Sequence, residues 1–241
     1  MREVNPEAIN SVTREGEGVA INVAINVVIN EEAMYMRIFK IFTFILTVVF
    51  MSYTNLKAET EPVYIKMDIS GVYNNDGIAP EVKANDGNFD YKGFNYTASM
   101  WPDAGETKIL GIPFTLPDKE DGRNNNIACN GQEIEVPEGR YASIFLLCSA
   151  TKDKAEEEVK LKFKDGSISS AQLNVTFWNQ EPQYNEKKAL EFCHNMSPAG
   201  LQYLFTYIFL QKIPAGNSKV LMSIILPDEP NIHIFSITLE K

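Results

Sequence analysis

With 241 residues, 44% hydrophobic and 22% charged, the chain has a globular composition and enough length to bury one core or at most two, which excludes wholesale disorder. A formal net charge of -10 and a pI near 4.8 give a surface that repels a phosphate backbone, so nucleic acid is not an expected partner. The same acidity suits neutral ligands or cations without choosing between them.

Residues 1–35 read as a leader whose translation the sequence leaves open, because Met34 or Met36 offers a start. It holds a tandem four-residue unit, Val19-Ala20-Ile21-Asn22, Val23-Ala24-Ile25-Asn26 and Val27-Val28-Ile29-Asn30, too short to stack into a solenoid. Residues 36–58 have the order of a signal peptide: basic Arg37 and Lys40, an almost wholly apolar run over 41–51, then Leu56-Lys57-Ala58 ahead of Glu59. That run falls short of the roughly 20 residues of a bilayer crossing. The expectation is an exported protein, periplasmic or extracellular, with no stable membrane span in its mature form and a single domain over 59–241.

From Val63 the pattern is that of strands. Val63, Ile65, Met67 and Ile69 alternate with polar neighbours, and Asn74-Asn75-Asp76-Gly77 supplies a turn. Short apolar or alternating runs follow at 107–110, 132–136 and 143–148, punctuated by Pro113, Pro117, Gly122, Gly131, Pro137 and Gly139. Residues 158–164 alternate strictly, Asp165-Gly166 turns, and 167–177 returns, which predicts a hairpin whose lysines lie on a solvated face. Residues 186–194 read as a short helix, and 219–226 and 232–239 supply two closing strands. Many brief strands between turn signals predict an all-β, jelly-roll β-sandwich.

Chemistry-bearing residues are few. Cys129, Cys148 and Cys193 allow one bridge with a free thiol or three buried thiols, and burial is the preferred reading. His233, between Ile232 and Ile234, reads as a structural histidine. His194 follows Cys193 directly, and because neighbours on a strand or helix diverge, a Cys-His pair is not expected from them. A glycoside hydrolase needs only two carboxyls at the right separation, and Asp76, Asp86, Asp90, Asp118 and Asp121 are available, yet each stands beside turn formers that suit a solvated or capping role. The reading is therefore non-enzymatic.

Asn74-Asn75-Asp76-Gly77-Ile78, Gly111-Ile112-Pro113-Phe114, Leu116-Pro117-Asp118, Gly131-Gln132, Pro137-Glu138-Gly139-Arg140-Tyr141, Phe145-Leu146-Leu147 and Leu226-Pro227-Asp228 together resemble a β-sandwich module of the galactose-binding-like kind. Such modules accompany catalytic domains in bacterial carbohydrate-active enzymes, so the resemblance implies an accessory role with a glycan or a glycan-processing enzyme as partner. Sugar sites pair aromatic faces with amide, carboxylate and guanidinium groups. The residues of those types are Asn74, Asn75, Asp76, Tyr96, Trp101, Arg123, Asn124 and Asn125, with Tyr91, Phe94, Asn126 and Trp178 as further candidates. A structural calcium on Asp118, Asp121 and Asn124 is a secondary expectation, from their supply of hard oxygen ligands in one loop. The rival readings are a structural or adhesion protein that holds another protein, and a small glycoside hydrolase.

Overall fold

The structure, a computed structural model, describes residues 31, 33–47, 61–82 and 87–241. The tandem repeat at 19–30, the end of the expected signal peptide at 48–58 and Asp86 lie outside the described residues. Residues 33–47 are helical, with Phe39, Phe42 and Phe44 exposed. Among the described residues no helix is long and apolar enough to cross a membrane. Residues 61–241 form a separate compact unit built from strands.

In chain order the strands are β1 (Tyr64–Lys66), β2 (Ile78–Ala79), β3 (Asn95–Thr97), β4 (Gly105–Ile109), β5 (Ile112–Leu116), β6 (Ile127–Ala128), β7 (Glu133–Gly139) and β8 (Ser143–Ala150). They continue as β9 (Ala155–Phe163), β10 (Ile168–Val175), β11 (Lys187–Phe192), β12 (Asn195–Ser197), β13 (Gly200–Gln202), β14 (Thr206–Pro214), β15 (Leu221–Ile225) and β16 (Ile232–Glu240). The central sheet runs β1-β16-β8-β14-β11, with β6 also on β16. A second sheet, β10-β9-β15-β7, lies over one face of it, while a small sheet, β13-β12-β3-β2, and the β4-β5 hairpin contribute to the core on the other.

Two cores result, and the central strands feed both. On β8 Ile144, Leu146 and Cys148 enter the first core, with Val159, Leu161 and Phe163 of β9 opposite, while Phe145 and Leu147 enter the second. That is why this strand is an unbroken apolar run: period two disappears when both faces are buried. On β16 the register shifts between Ile234 and Ser236, so Ile232 and Ile234 share the first core with Ile237 and Leu239 across a change of parity. The second core is aromatic, with Phe89, Tyr96, Trp101, Trp178, Phe192 and Phe235 in mutual contact.

The β9–β10 hairpin forms as the alternation predicts, turning at Asp165-Gly166 with Gly166 at φ +81°. Its outward Lys162 and Lys164 pair with Glu133 and Glu138 of β7 at 3.0 and 2.5 Å, exposed contacts that add little stability. One expectation is overturned: most of 186–194 is not a helix but strand β11, held by antiparallel pairing to β14. Lys, Ala, Leu and Glu favour a helix in isolation, and sheet pairing outweighs that preference.

Candidate functional site

Most residues expected to bind a ligand fall into two groups, aromatic rings in the second core and asparagines between two loops, while Asn74, Arg123 and Asn124 are exposed. Tyr96 and Trp101 are buried at 0% and 2% exposure. The Tyr96 hydroxyl donates to the Tyr207 carbonyl at 2.8 Å and is hydrogen-bonded to Ser149 Oγ at 2.9 Å, and Trp101 stacks on Phe192 with centroids 5.6 Å apart. Neither ring has a face to offer a sugar. Trp178 is equally buried, Phe94 packs against the second core, and Tyr91 is exposed.

The asparagines form a ladder between two loops. Asn74 donates through Nδ2 to the Ala128 carbonyl at 2.9 Å and accepts the Ala128 N–H at 2.7 Å. Asn126 Nδ2 donates to Asn75 Oδ1 at 3.0 Å, and its Oδ1 accepts from His233 Nδ1 at 2.7 Å. Asn125 Oδ1 accepts the Gly77 N–H at 2.9 Å while its Nδ2 donates to Asp76 Oδ1 at 2.7 Å. Asp76 Oδ2 takes the Gly122 N–H at 2.9 Å, and its half-buried carboxyl is raised above the usual range, first by lost hydration. These groups satisfy one another and close the loops.

Asp118 and Asn124 of the calcium set have protein partners. Asp118 faces Arg123 at 3.7 Å and accepts the Glu120 N–H, Arg123 also pairs with Glu120 at 3.0 Å, and Asn124 Nδ2 donates to the Tyr73 carbonyl. Among the described residues no group of three or more His, Cys, Asp or Glu side chains is placed to hold a metal. Of the remaining candidate carboxylates, Asp90 Oδ1 caps its own turn by accepting the N–H groups of Lys92 and Phe94.

A groove of ≈ 840 Å³ opens at another place, where β11 begins at Lys187 and leaves β14 unpaired on that side beyond Leu210. Its walls carry the amides of Gln172, Asn174, Gln183, Asn185 and Gln211 beside the ring of Tyr184. Phe145, Leu210 and Ile112 give it apolar surface, and no aspartate or glutamate lines it. Gln172 Nε2 donates to Asn174 Oδ1 at 2.7 Å, and Gln211 Nε2 to the Asn174 carbonyl, so the amides on β10 and β14 are held in place by each other. Tyr184 donates to Glu156 Oε1 at 2.9 Å, and its phenol is pushed up to about 12, first by burial and then by that acceptor. Lys212 sits 5.1 Å over the Phe145 ring and 3.5 Å from Glu240. Lys187 and Lys212 complete the lining, and its volume and amides match the make-up of a site for a hydroxyl-rich ligand.

Two further differences from expectation concern cysteines and histidines. Cys129 and Cys148 are buried, whereas Cys193 is exposed. Cys193 Sγ lies 3.4 Å from His194 Nδ1, so the two adjacent side chains converge. The divergence rule applies inside regular elements, and Cys193 occupies the bend between β11 and β12. His233 is structural as read: it is buried beside Phe89, and burial pushes its imidazole down to about 3.

No curated protein matches the chain. The family model of the AziU2-like β-sandwich domain matches residues 62–241, nearly the whole of the strand-built unit, and the chain belongs to that family.

Proposed function

We propose that this chain is an exported, non-catalytic carbohydrate-binding or accessory module with a sandwich of the galactose-binding-like jelly-roll type, and that its glycan lies in the groove at the β11 end of β14. The observation that carries the reading is the lining itself: five amide side chains and Tyr184 around an apolar floor. Amides both donate and accept, as sugar hydroxyls do, and an aromatic ring covers the apolar face of a pyranose.

A second reading rests on the same place. Residues 211–214 of β14 pair with β8 on one side only, so a protein partner could add a strand to that edge, as an adhesion or scaffold protein does.

Calorimetric titration of the full chain with a panel of plant and host polysaccharides, with and without Ca2+, separates the two. Saturable binding that weakens by about tenfold or more in Tyr184→Ala and in Asn174→Ala is expected, from the loss of one stacking face or one paired amide. Binding that neither variant alters removes the groove as the site. No binding to any glycan sinks the carbohydrate reading and leaves the protein-partner one.

A further inference from the structure

Away from the groove, three side chains from separate parts of the sequence meet at the bend between β11 and β12. Glu81 Oε1 accepts hydrogen bonds from Thr97 Oγ1 at 3.0 Å, from Ser99 Oγ, and from His194 Nε2 at 2.9 Å. These donors hold its carboxyl down at about 2, so it is ionised at neutral pH. An ionised carboxylate only accepts, so Nε2 carries a hydrogen, and in the neutral imidazole Nδ1 is then the lone pair. That lone pair faces Cys193 Sγ at 3.4 Å. Met100 Sδ, 3.7 Å from the same sulfur, and the Tyr203 ring, 6.2 Å from His194, are the other neighbours. Cys193 is exposed, His194 is mostly covered, and Leu201, Tyr203 and Phe205 leave apolar surface open nearby.

A nucleophile, a base within reach of it and a carboxylate that orients the base form the constellation that activates a thiol. From it we infer that Cys193 is a nucleophilic thiol, with His194 as its base and Glu81 as the residue that positions the base, and that its substrate class is low-molecular-weight disulfides. In the reaction His194 Nδ1 takes the thiol proton as Sγ attacks one sulfur of R–S–S–R. The S–S bond of the substrate breaks, a new Cys193–S–S–R bond forms, and the proton passes to the departing thiolate to give R–SH. The Cys193 sulfur is oxidised and the departing sulfur reduced, with no other oxidant needed. The product persists, because Cys129 and Cys148 are buried in the first core and cannot reach the bend to resolve it. The site is therefore a point of covalent attachment.

The test is the rate at which dithiobis(nitrobenzoate) reacts with the full native chain across pH 6 to 10, followed by release of the coloured thiolate. One thiol per chain is expected to react before denaturation, and all three after it. Cys193→Ser removes the native reaction. His194→Gln slows it at pH 7 by about fivefold or more, and the two rates converge toward pH 10, where hydroxide takes over the work of a side-chain base. That convergence distinguishes a lost base from a damaged fold, which would not restore the rate. Glu81→Gln retains an acceptor for His194 and falls between the two. A smaller effect of His194→Gln at pH 7, a native reaction that survives Cys193→Ser, or no native reaction at all overturns the assignment.

Discussion

Gly77 shows how tightly the loops of this sandwich are closed at the level of single atoms. A Cβ there would meet Phe89 Cδ2 at 2.6 Å and Asn126 Nδ2 at 2.7 Å, so the position tolerates no side chain where the asparagine ladder meets the aromatic core. On the other side of Asn126 stands His233, whose Nδ1 is engaged while Nε2 is buried without a partner. Charging this imidazole would put a cation among Phe89 and Asn126, and its pKa of about 3 in the fold against 6.5 outside it expresses that cost. Between those values the unfolded chain binds a proton that the folded chain refuses, so stability falls as the pH drops, by up to about 1.4 kcal/mol per pH unit, with no contribution above 6.5. Glu81 and Asp165, both held near 2, add losses at pH values below the ordinary carboxylate range, while the raised carboxyl of Asp76 works in the opposite direction. Denaturant midpoints of the wild type and of His233→Gln between pH 7 and 4.5 test this: the wild type is expected to weaken more steeply. Parallel curves would mean that His233 accepts its proton in place.

The β4–β5 hairpin depends on two hydroxyls of β16. Ser236 Oγ donates to the Thr115 carbonyl at 2.8 Å and Thr238 Oγ1 to the Pro113 carbonyl at 2.6 Å. Ser236→Ala with Thr238→Val is expected to cost about 1–2 kcal/mol by leaving partly buried carbonyls unpaired. Hydrogen exchange should then quicken in β4 and β5 and stay unchanged in β9 and β10; a uniform rise would show that the hairpin does not open separately. The elements differed in how far the sequence revealed them. The β9–β10 hairpin was legible because one face is wet, so its alternation survives in Val159, Lys160, Leu161 and Lys162. β14 was not recognised, because Tyr207, Ile208, Phe209 and Leu210 are all buried and leave no period to read. β11 carried the composition of a helix. The groove draws on residues 110, 112, 145, 172, 174, 183–185, 187, 210–212 and 214, so nothing local marks it, whereas the asparagines that looked like ligand contacts turned out to spend their amides on partners up to 107 residues away. The Cys193 and His194 contact depends on a bend that the helical reading of 186–194 concealed.

Taken whole, the molecule divides at residue 60 into an N-terminal segment and the strand-built unit. If residues 36–58 direct export, chains expressed from the full sequence should begin at Glu59 once secreted, and N-terminal sequencing of the secreted form checks it; an uncleaved or retained chain counts against export. The topology of the unit bears on such a journey. β16 pairs with β1, β6 and β8, joining Tyr64 to Glu240, so β1 and β6 have no strand linking them to β8 until residues 232–240 have been synthesised. Most of its stabilising pairings span long stretches of chain, and folds of that kind assemble slowly. A chain synthesised only as far as residue 231 can form the local β9–β10 hairpin but cannot join β1 and β6 to β8, so closure of the central sheet waits on β16.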